Sequence, residues 1–129
     1  MKRLALAVAA LGFVALGARP AVAQDMMQMK MAEGEEVEFT AQVVDLSCKV
    51  VYGLTGEEHR MCAQVCADQG IPLVLLHDGE IYMPVSKAMP GTGSNEQLKP
   101  HAEHEVKVKG KVIERAGQKT IIIESIEVV

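Results

Sequence analysis

The sequence of 129 residues lacks Trp, has only two Phe and two Tyr, and has fewer basic than acidic residues. Thirteen Lys and Arg stand against 17 Asp and Glu, a net charge of -4. Binding of single-stranded nucleic acid requires a basic groove with stacking aromatic side chains, so the composition argues against a nucleic-acid partner. The longest apolar run falls short of the roughly 20 residues that span a membrane. The hydrophobic fraction of 49% is too high for a disordered chain.

The first 23 residues have the pattern of a secretory signal peptide. The chain begins with the basic tripeptide MKR, residues 4–18 are apolar apart from two Gly, and Ala21-Val22-Ala23 is an A-x-A cleavage motif. We therefore expect cleavage after Ala23, a periplasmic or secreted location and no stable membrane anchor after cleavage. Loss of the leader leaves 10 basic and 17 acidic residues, a net charge of -7.

The remaining chain divides into a short arm and one domain. Residues 24–36 contain Met26, Met27, Met29 and Met31 among polar residues, which indicates a Met-rich flexible arm. Thioethers bind Cu(I) without losing a proton, so the arm is either a low-affinity capture segment for copper or a polar linker. Residues 37–129 form the predicted domain.

Alternating apolar residues and turn motifs predict five strands in this domain. A capping box at Thr55 and Glu58 predicts a helix over residues 56–69, which Gly70 ends. The fold class is therefore mainly β, a small five-stranded OB-like barrel with one helix inserted after the first strand. The predicted strands are residues 37–46, 72–77 and 80–85, the segment from 106 and residues 120–128. Tight turns are predicted at residues 78–79 and 116–118.

Three cysteines and one histidine are the candidate metal ligands. At about 100° per residue, His59, Cys62 and Cys66 form one stripe of the helix, which we expect to face the barrel and meet Cys48. Thiolate and imidazole ligands suit Cu(I) and also Zn(II). The C-x3-C spacing differs from the C-x2-C of structural zinc sites, so we predict a Cys3His site that prefers Cu(I). The ligand set also resembles that of the Sco-type copper proteins, whose fold differs.

Two other uses of the cysteines are open at this point. Cys48 can pair with Cys62 or Cys66 in a disulfide, which would make the domain a disulfide-stabilised periplasmic binding module with one thiol left over. A thiol next to His59 can also serve redox exchange. The sequence shows no Ser/His/Asp order, paired carboxylates or phosphate-binding loop, so we do not expect an enzyme.

The motif D-x2-C, followed by H-x2-C-A-x2-C-x3-G-x-P, resembles a group of small exported bacterial proteins of uncharacterised role with an OB-like barrel. The resemblance includes the later V-x-V-x-G segment at residues 106–110 and covers most of the chain after the leader. The resemblance implies an exported protein with this barrel and implies almost nothing about its function. The candidate ligands, and not the resemblance, lead us to expect a metal ion and with it a periplasmic protein as partners. The motif residues are Asp45, Cys48, His59, Cys62, Ala63, Cys66, Gly70 and Pro72.

Overall fold

The computed structural model describes residues 30–129. The predicted signal peptide (residues 1–23) and Met26, Met27 and Met29 of the arm lie outside the described residues. Short 3-10 segments, Glu57–His59 and Lys99–His101, accompany the helices. The regular elements in chain order are β1 (Glu35–Asp45), α1 (Leu46–Tyr52), α2 (Arg60–Asp68), β2 (Leu73–His77), β3 (Glu80–Pro84), α3 (Asn95–Leu98), β4 (Glu105–Arg115) and β5 (Gln118–Val128).

The five strands form a closed barrel in the order β1-β2-β3-β5-β4, which confirms the predicted mainly β architecture. Strand β1 is shared between two neighbours: residues 35–42 pair with β4 and residues 42–45 pair with β2, both antiparallel. A short parallel pairing of β3 with β5 completes the ring. Closure gives every strand two neighbours and so removes the exposed edges that five short strands would otherwise present.

The core lies inside the barrel and beneath two helices. Strand residues with alternate inward positions, such as Val106 and Val108, are fully buried. Leu98 of α3 and Ala63 of α2 join the same cluster, so both helices pack onto the barrel. None of the helices within residues 30–129 has the length and hydrophobicity needed to cross a membrane.

The tight turns have the predicted backbone. Asp78 and Gly79 have φ values of 48° and 78°, and Ala116 and Gly117 have 53° and 74°. Two successive residues with positive φ define the hairpin turn that matches the twist of the strands it joins. Gly70, with φ of 89°, ends the helical segment as predicted.

The first part of the β1–β2 connection differs from the prediction. Residues 46–52 form helix α1, where the sequence predicts the end of a strand and then a loop. The capping box was also wrong: Thr55 donates its hydroxyl to Glu103 Oε2 at 2.8 Å, and no side chain caps the helical segment that begins at Glu57. Thr55 does not cap the helix because its hydroxyl is hydrogen-bonded to a buried carboxylate that is distant in sequence.

The predicted orientation of α2 was wrong as well. Its buried residues are Ala63 and Ala67, whereas Cys62 is exposed and Cys66 is half-buried. Small alanine side chains let the helix approach the barrel closely. Gln64 was expected to face solvent, but its side-chain amide donates a hydrogen bond to the Lys99 carbonyl at 3.3 Å. The cysteines therefore lie beside the packed face of α2 and not within it.

Candidate metal centre

Three thiols from two helices converge at the surface of the domain. The Sγ atoms of Cys48, Cys62 and Cys66 all lie within 4.8 Å of one another. A metal–sulfur bond of about 2.3 Å requires sulfur atoms about 3.8 Å apart in tetrahedral geometry. Shifts of about 1 Å or less, within the range of side-chain rotations, would bring all three thiols onto one ion.

Asp45 positions the first of these thiols. It is the last residue of β1 and the N-cap of α1, and its Oδ1 accepts the backbone N–H of Cys48 at 2.7 Å. Because Asp45 pairs with Leu73 in the sheet and is 1% exposed, this capping contact joins the start of α1 directly to the barrel. The D-x2-C spacing of the sequence is therefore a helix-capping motif that holds Cys48 in place.

Contacts at both ends of α2 position the other two thiols. Near its start, Arg60 donates to the Pro100 carbonyl at 3.0 Å. At its end, the Asn95 side chain donates to the carbonyls of Ala67 at 3.0 Å and Ile71 at 2.8 Å, and it accepts the Leu73 N–H at 3.0 Å. Cys62 and Cys66 are one helical turn apart, so they lie on the same side of this anchored helix.

Glu103 is a residue of this region that the sequence did not reveal. Its Oε2 accepts the Thr55 hydroxyl at 2.8 Å and the Gly56 N–H at 2.7 Å, which ties the loop before α2 to the entry of β4. Glu103 is 6% exposed and has a φ of 61°. No local pattern predicts such a residue, because the groups that donate to its Oε2 lie 47, 48 and 61 positions away in the sequence.

Two of the three thiols, Cys48 and Cys66, hold their protons tightly in the metal-free protein. Removal from water, and then the neighbouring Asp45 carboxylate, raises the pKa of the Cys66 thiol to about 12. The pKa of Cys48 is raised by the same two causes in the same order. Thiols in this state are weak nucleophiles, and a metal ion that binds them must displace their protons.

The buried carboxylate also fits a cation at this position. Asp45 Oδ2 is buried and accepts no hydrogen bond within residues 30–129. An unpaired buried carboxylate oxygen is costly, and a positive ion bound by the adjacent thiolates would offset that cost. The donor set is soft, which suits Cu(I) or Zn(II) and does not suit Mg²⁺ or Ca²⁺.

His59 is the fourth residue of the predicted site. Among the described residues, the group of mutually close ligand atoms consists of the three thiols and does not include the His59 ring. His59 lies at the end of the 3-10 segment before α2, and its Nε2 is buried with no hydrogen-bond partner in the described part of the chain. His59 as a fourth ligand therefore stays a prediction, which its unpartnered ring nitrogen three positions before Cys62 allows.

The thiol group is accessible from one side. Cys62 is exposed, and the other two cysteines are half-buried. An ion held here could therefore enter and leave through solvent or through a docked protein. Comparisons of the chain with known protein families, with curated proteins and with solved structures find no match, so the three thiols themselves are the basis for a functional assignment.

Proposed function

We propose that this protein binds one soft metal ion, preferentially Cu(I), through Cys48, Cys62 and Cys66. The observation that supports the proposal is the convergence of three Sγ atoms within 4.8 Å at an accessible surface. The buried, unpartnered Asp45 Oδ2 beside them supports a cation at the same position. His59 is proposed as an additional ligand that reaches the ion by rotation of its ring.

The number of ready ligands favours Cu(I) over Zn(II). Structural zinc sites have four protein ligands in tetrahedral geometry. Three thiolates suffice for Cu(I), which soft sulfur ligands select. Zn(II) binding at this position would require His59 or solvent as the fourth ligand, and so should depend more strongly on His59 than Cu(I) binding does.

An accessible three-thiol site suits metal handling in an exported protein. An ion bound next to the exposed Cys62 can pass to a periplasmic partner protein without unfolding of the barrel. Non-catalytic binding is proposed because Cys48 and Cys66 hold their protons and so are not activated nucleophiles. The raised pKa values of Cys48 and Cys66 argue against redox exchange at these two thiols, since exchange needs a thiolate near neutral pH.

Metal titration tests the proposal directly. Reduced protein without residues 1–23 is titrated with Cu(I) under anaerobic conditions in competition with a coloured Cu(I) chelator. We expect about one ion per chain, and a loss of at least roughly tenfold in affinity in Cys62→Ser and in Cys66→Ser because each variant removes one of three soft ligands.

Val65→Ser is the matched control, since it places the same hydroxyl on an exposed position of the same helix. It should bind Cu(I) like the wild type. His59→Gln should weaken Zn(II) binding more than Cu(I) binding. Undiminished Cu(I) uptake by the variant in which all three cysteines are Ser, with an unchanged circular dichroism spectrum, would show that the site is wrong.

A further inference from the structure

The barrel has an open end opposite the thiols. Strand β1 runs from Glu35 at this end to Asp45 beside the thiol group, roughly 30 Å along an 11-residue strand. Among residues 30–129, the side chains that line the open end all belong to the five strands and none to a helix. They enclose a cavity of about 450 Å³, a size typical of small-molecule sites, which often occupy the mouths of barrels. We refer to this cavity as the barrel mouth.

Three rings form one wall of the barrel mouth. The centroid of the Phe39 ring lies 4.4 Å from that of His77 and 5.0 Å from that of Tyr82. The His77 ring is fixed, because its Nδ1–H donates to the Thr40 carbonyl at 2.7 Å. Phe39 and Tyr82 pack against the buried core and are themselves half-buried. The wall therefore offers a preformed aromatic surface to a ligand.

The charges of the barrel mouth favour a cationic ligand. The lining contains one ammonium group, that of Lys119, and three carboxylates. The carboxylates belong to Glu35, Glu38 and Glu114. Glu38 pairs with Lys107 at 2.7 Å, whereas Glu35 and Glu114 form no ion pair within residues 30–129. These two carboxylates are exposed at the rim, where each can approach the positive group of a ligand.

Lys119 shows that the aromatic wall accepts a positive charge. Its Nζ lies 5.3 Å from the centroid of the Tyr82 ring, within the distance of a cation–π contact. The same ammonium group pairs with Glu80 Oε2 at 2.7 Å, so its charge is balanced by a carboxylate that does not line the cavity. The electrostatic environment of the wall therefore suits an ammonium group better than a carboxylate group.

We propose that the barrel mouth binds a small organic ammonium ion. The apolar part of the ligand packs on Phe39 and Tyr82, and its positive group faces the carboxylates of Glu35 and Glu114. Aromatic walls recognise ammonium ligands through the negative faces of their rings. The thiols lie at the other end of the barrel and no metal ion takes part, so this binding is independent of the proposed metal binding.

An NMR titration of reduced, metal-free protein without residues 1–23 tests the proposal. The probe is benzyltrimethylammonium, and the comparison ligand is benzenesulfonate, which carries a negative charge on the same ring; the ionic strength is kept constant. We expect the cation to cause saturable amide shifts at Phe39, His77 and Tyr82, with a Kd of about 1 mM or lower. The anion should cause no saturable shift at these positions.

Two double variants separate the carboxylates of the barrel mouth from the net charge of the protein. Glu35→Gln with Glu114→Gln should weaken binding of the cation by about fivefold or more, because it removes both unpaired carboxylates and keeps the rings. Glu58→Gln with Glu124→Gln is the matched control, since it changes the net charge equally at exposed positions that do not line the cavity. The control should bind the cation like the wild type.

Two single variants test the rings and the intramolecular cation. Tyr82→Leu keeps an apolar side chain without the ring and should weaken binding by about fivefold or more. Lys119→Met keeps a long side chain without the competing ammonium group and should strengthen binding by about threefold. Circular dichroism shows whether each variant folds. The carboxylate variant changes exposed side chains and provides the test in the event that Tyr82→Leu fails to fold.

Four results would overturn the proposal. One is the absence of saturable shifts at the three rings up to about 20 mM of the cation. Equal binding of benzenesulfonate, or a carboxylate variant that binds the cation as tightly as its control, would show that the barrel mouth does not select positive charge. Tighter binding of Nα-acetyl-lysinamide than of benzyltrimethylammonium would assign the cavity to a lysine side chain of another protein and not to a small ion.

Discussion

Asp45 has two roles at the base of the thiol group. One carboxylate oxygen caps α1, and the negative charge opposes ionisation of the two nearest thiols. The pKa values of Cys48 and Cys66 are therefore above their ordinary range, and in the metal-free protein both residues are neutral thiols at pH 7. Their reactivity should increase as the pH rises toward those pKa values, since the thiolate is the nucleophile.

Alkylation kinetics test this role of Asp45. Asp45→Asn keeps a good helix cap and removes the charge. We expect it to speed iodoacetamide modification of Cys48 and Cys66 near neutral pH by about tenfold, because removal of the negative charge lowers the pKa of both thiols and increases the thiolate fraction. Peptide mapping by mass spectrometry gives the rate at each cysteine.

Asp68→Asn is the control for this measurement, because Asp68 lies on α2 and pairs with Lys99 at the surface. Its alkylation rates should match those of the wild type. Equal rates in Asp45→Asn and the wild type would contradict a role for the carboxylate in keeping the thiols protonated.

The elements of the barrel depend on close backbone contacts as well as on apolar periodicity. Strand β4 shifts register against β5 between Lys109 and Gly110. At Gly110, a Cβ atom would collide with the Ile122 carbonyl oxygen and crowd the Ile121 side chain at 3.2 Å. The glycine of the V-x-V-x-G segment is thus required by the approach of the neighbouring strand.

Gly110→Ala should accordingly destabilise the domain. We expect the free energy of unfolding to fall by about 2 kcal/mol, the usual cost of forcing an extra methyl group into a packed position. Urea denaturation followed by circular dichroism measures the change, with an unaltered slope against urea concentration.

Gly93→Ala is the matched substitution, since a Cβ at Gly93 has no atom within 4 Å among the described residues. It should change the free energy of unfolding by less than about 0.5 kcal/mol. A Gly110→Ala variant as stable as Gly93→Ala would mean that β4 and β5 are not as close at this point as the structure has them.

At the scale of the whole molecule, the thiol group joins a weakly held helix to a firmly held one. Helix α1 has no buried residue, whereas α2 is anchored by two buried alanines and by Asn95. Segments with few buried contacts open most readily. An ion bound by Cys48 and by the cysteines of α2 would therefore stabilise α1 most.

Amide hydrogen exchange tests this consequence of the proposed metal binding. In the metal-free protein, we expect the amides of α1 to exchange faster than those of α2. One equivalent of Cu(I) should slow exchange in α1 by about tenfold or more and leave β4 nearly unchanged. The variant with all three cysteines replaced by Ser should show no such slowing, and equal slowing in that variant would contradict metal ligation by these thiols.

The fold and the site were predictable from the sequence to different degrees, as the connection between β1 and β2 shows. The barrel strands and both hairpin turns follow from alternation and from residues that tolerate positive φ, which are local properties. Helix α1 was missed because its seven residues show no buried face. The orientation of α2 was predicted wrongly because Ala63 and Cys62 both lie on apolar stripes of the helix. Which stripe packs against the barrel depends on how closely the helix approaches it, and the sequence does not show this distance.

The sequence by itself determined the five-stranded barrel, the tight turns and the three cysteines as candidate ligands, since each depends on a short pattern of residues. The tertiary structure alone decided that the three thiols lie together near the surface beside the buried Asp45 carboxylate, with Glu103 tying down the preceding loop. These contacts join residues from separate elements, and their energies depend on packing and desolvation that no local pattern contains.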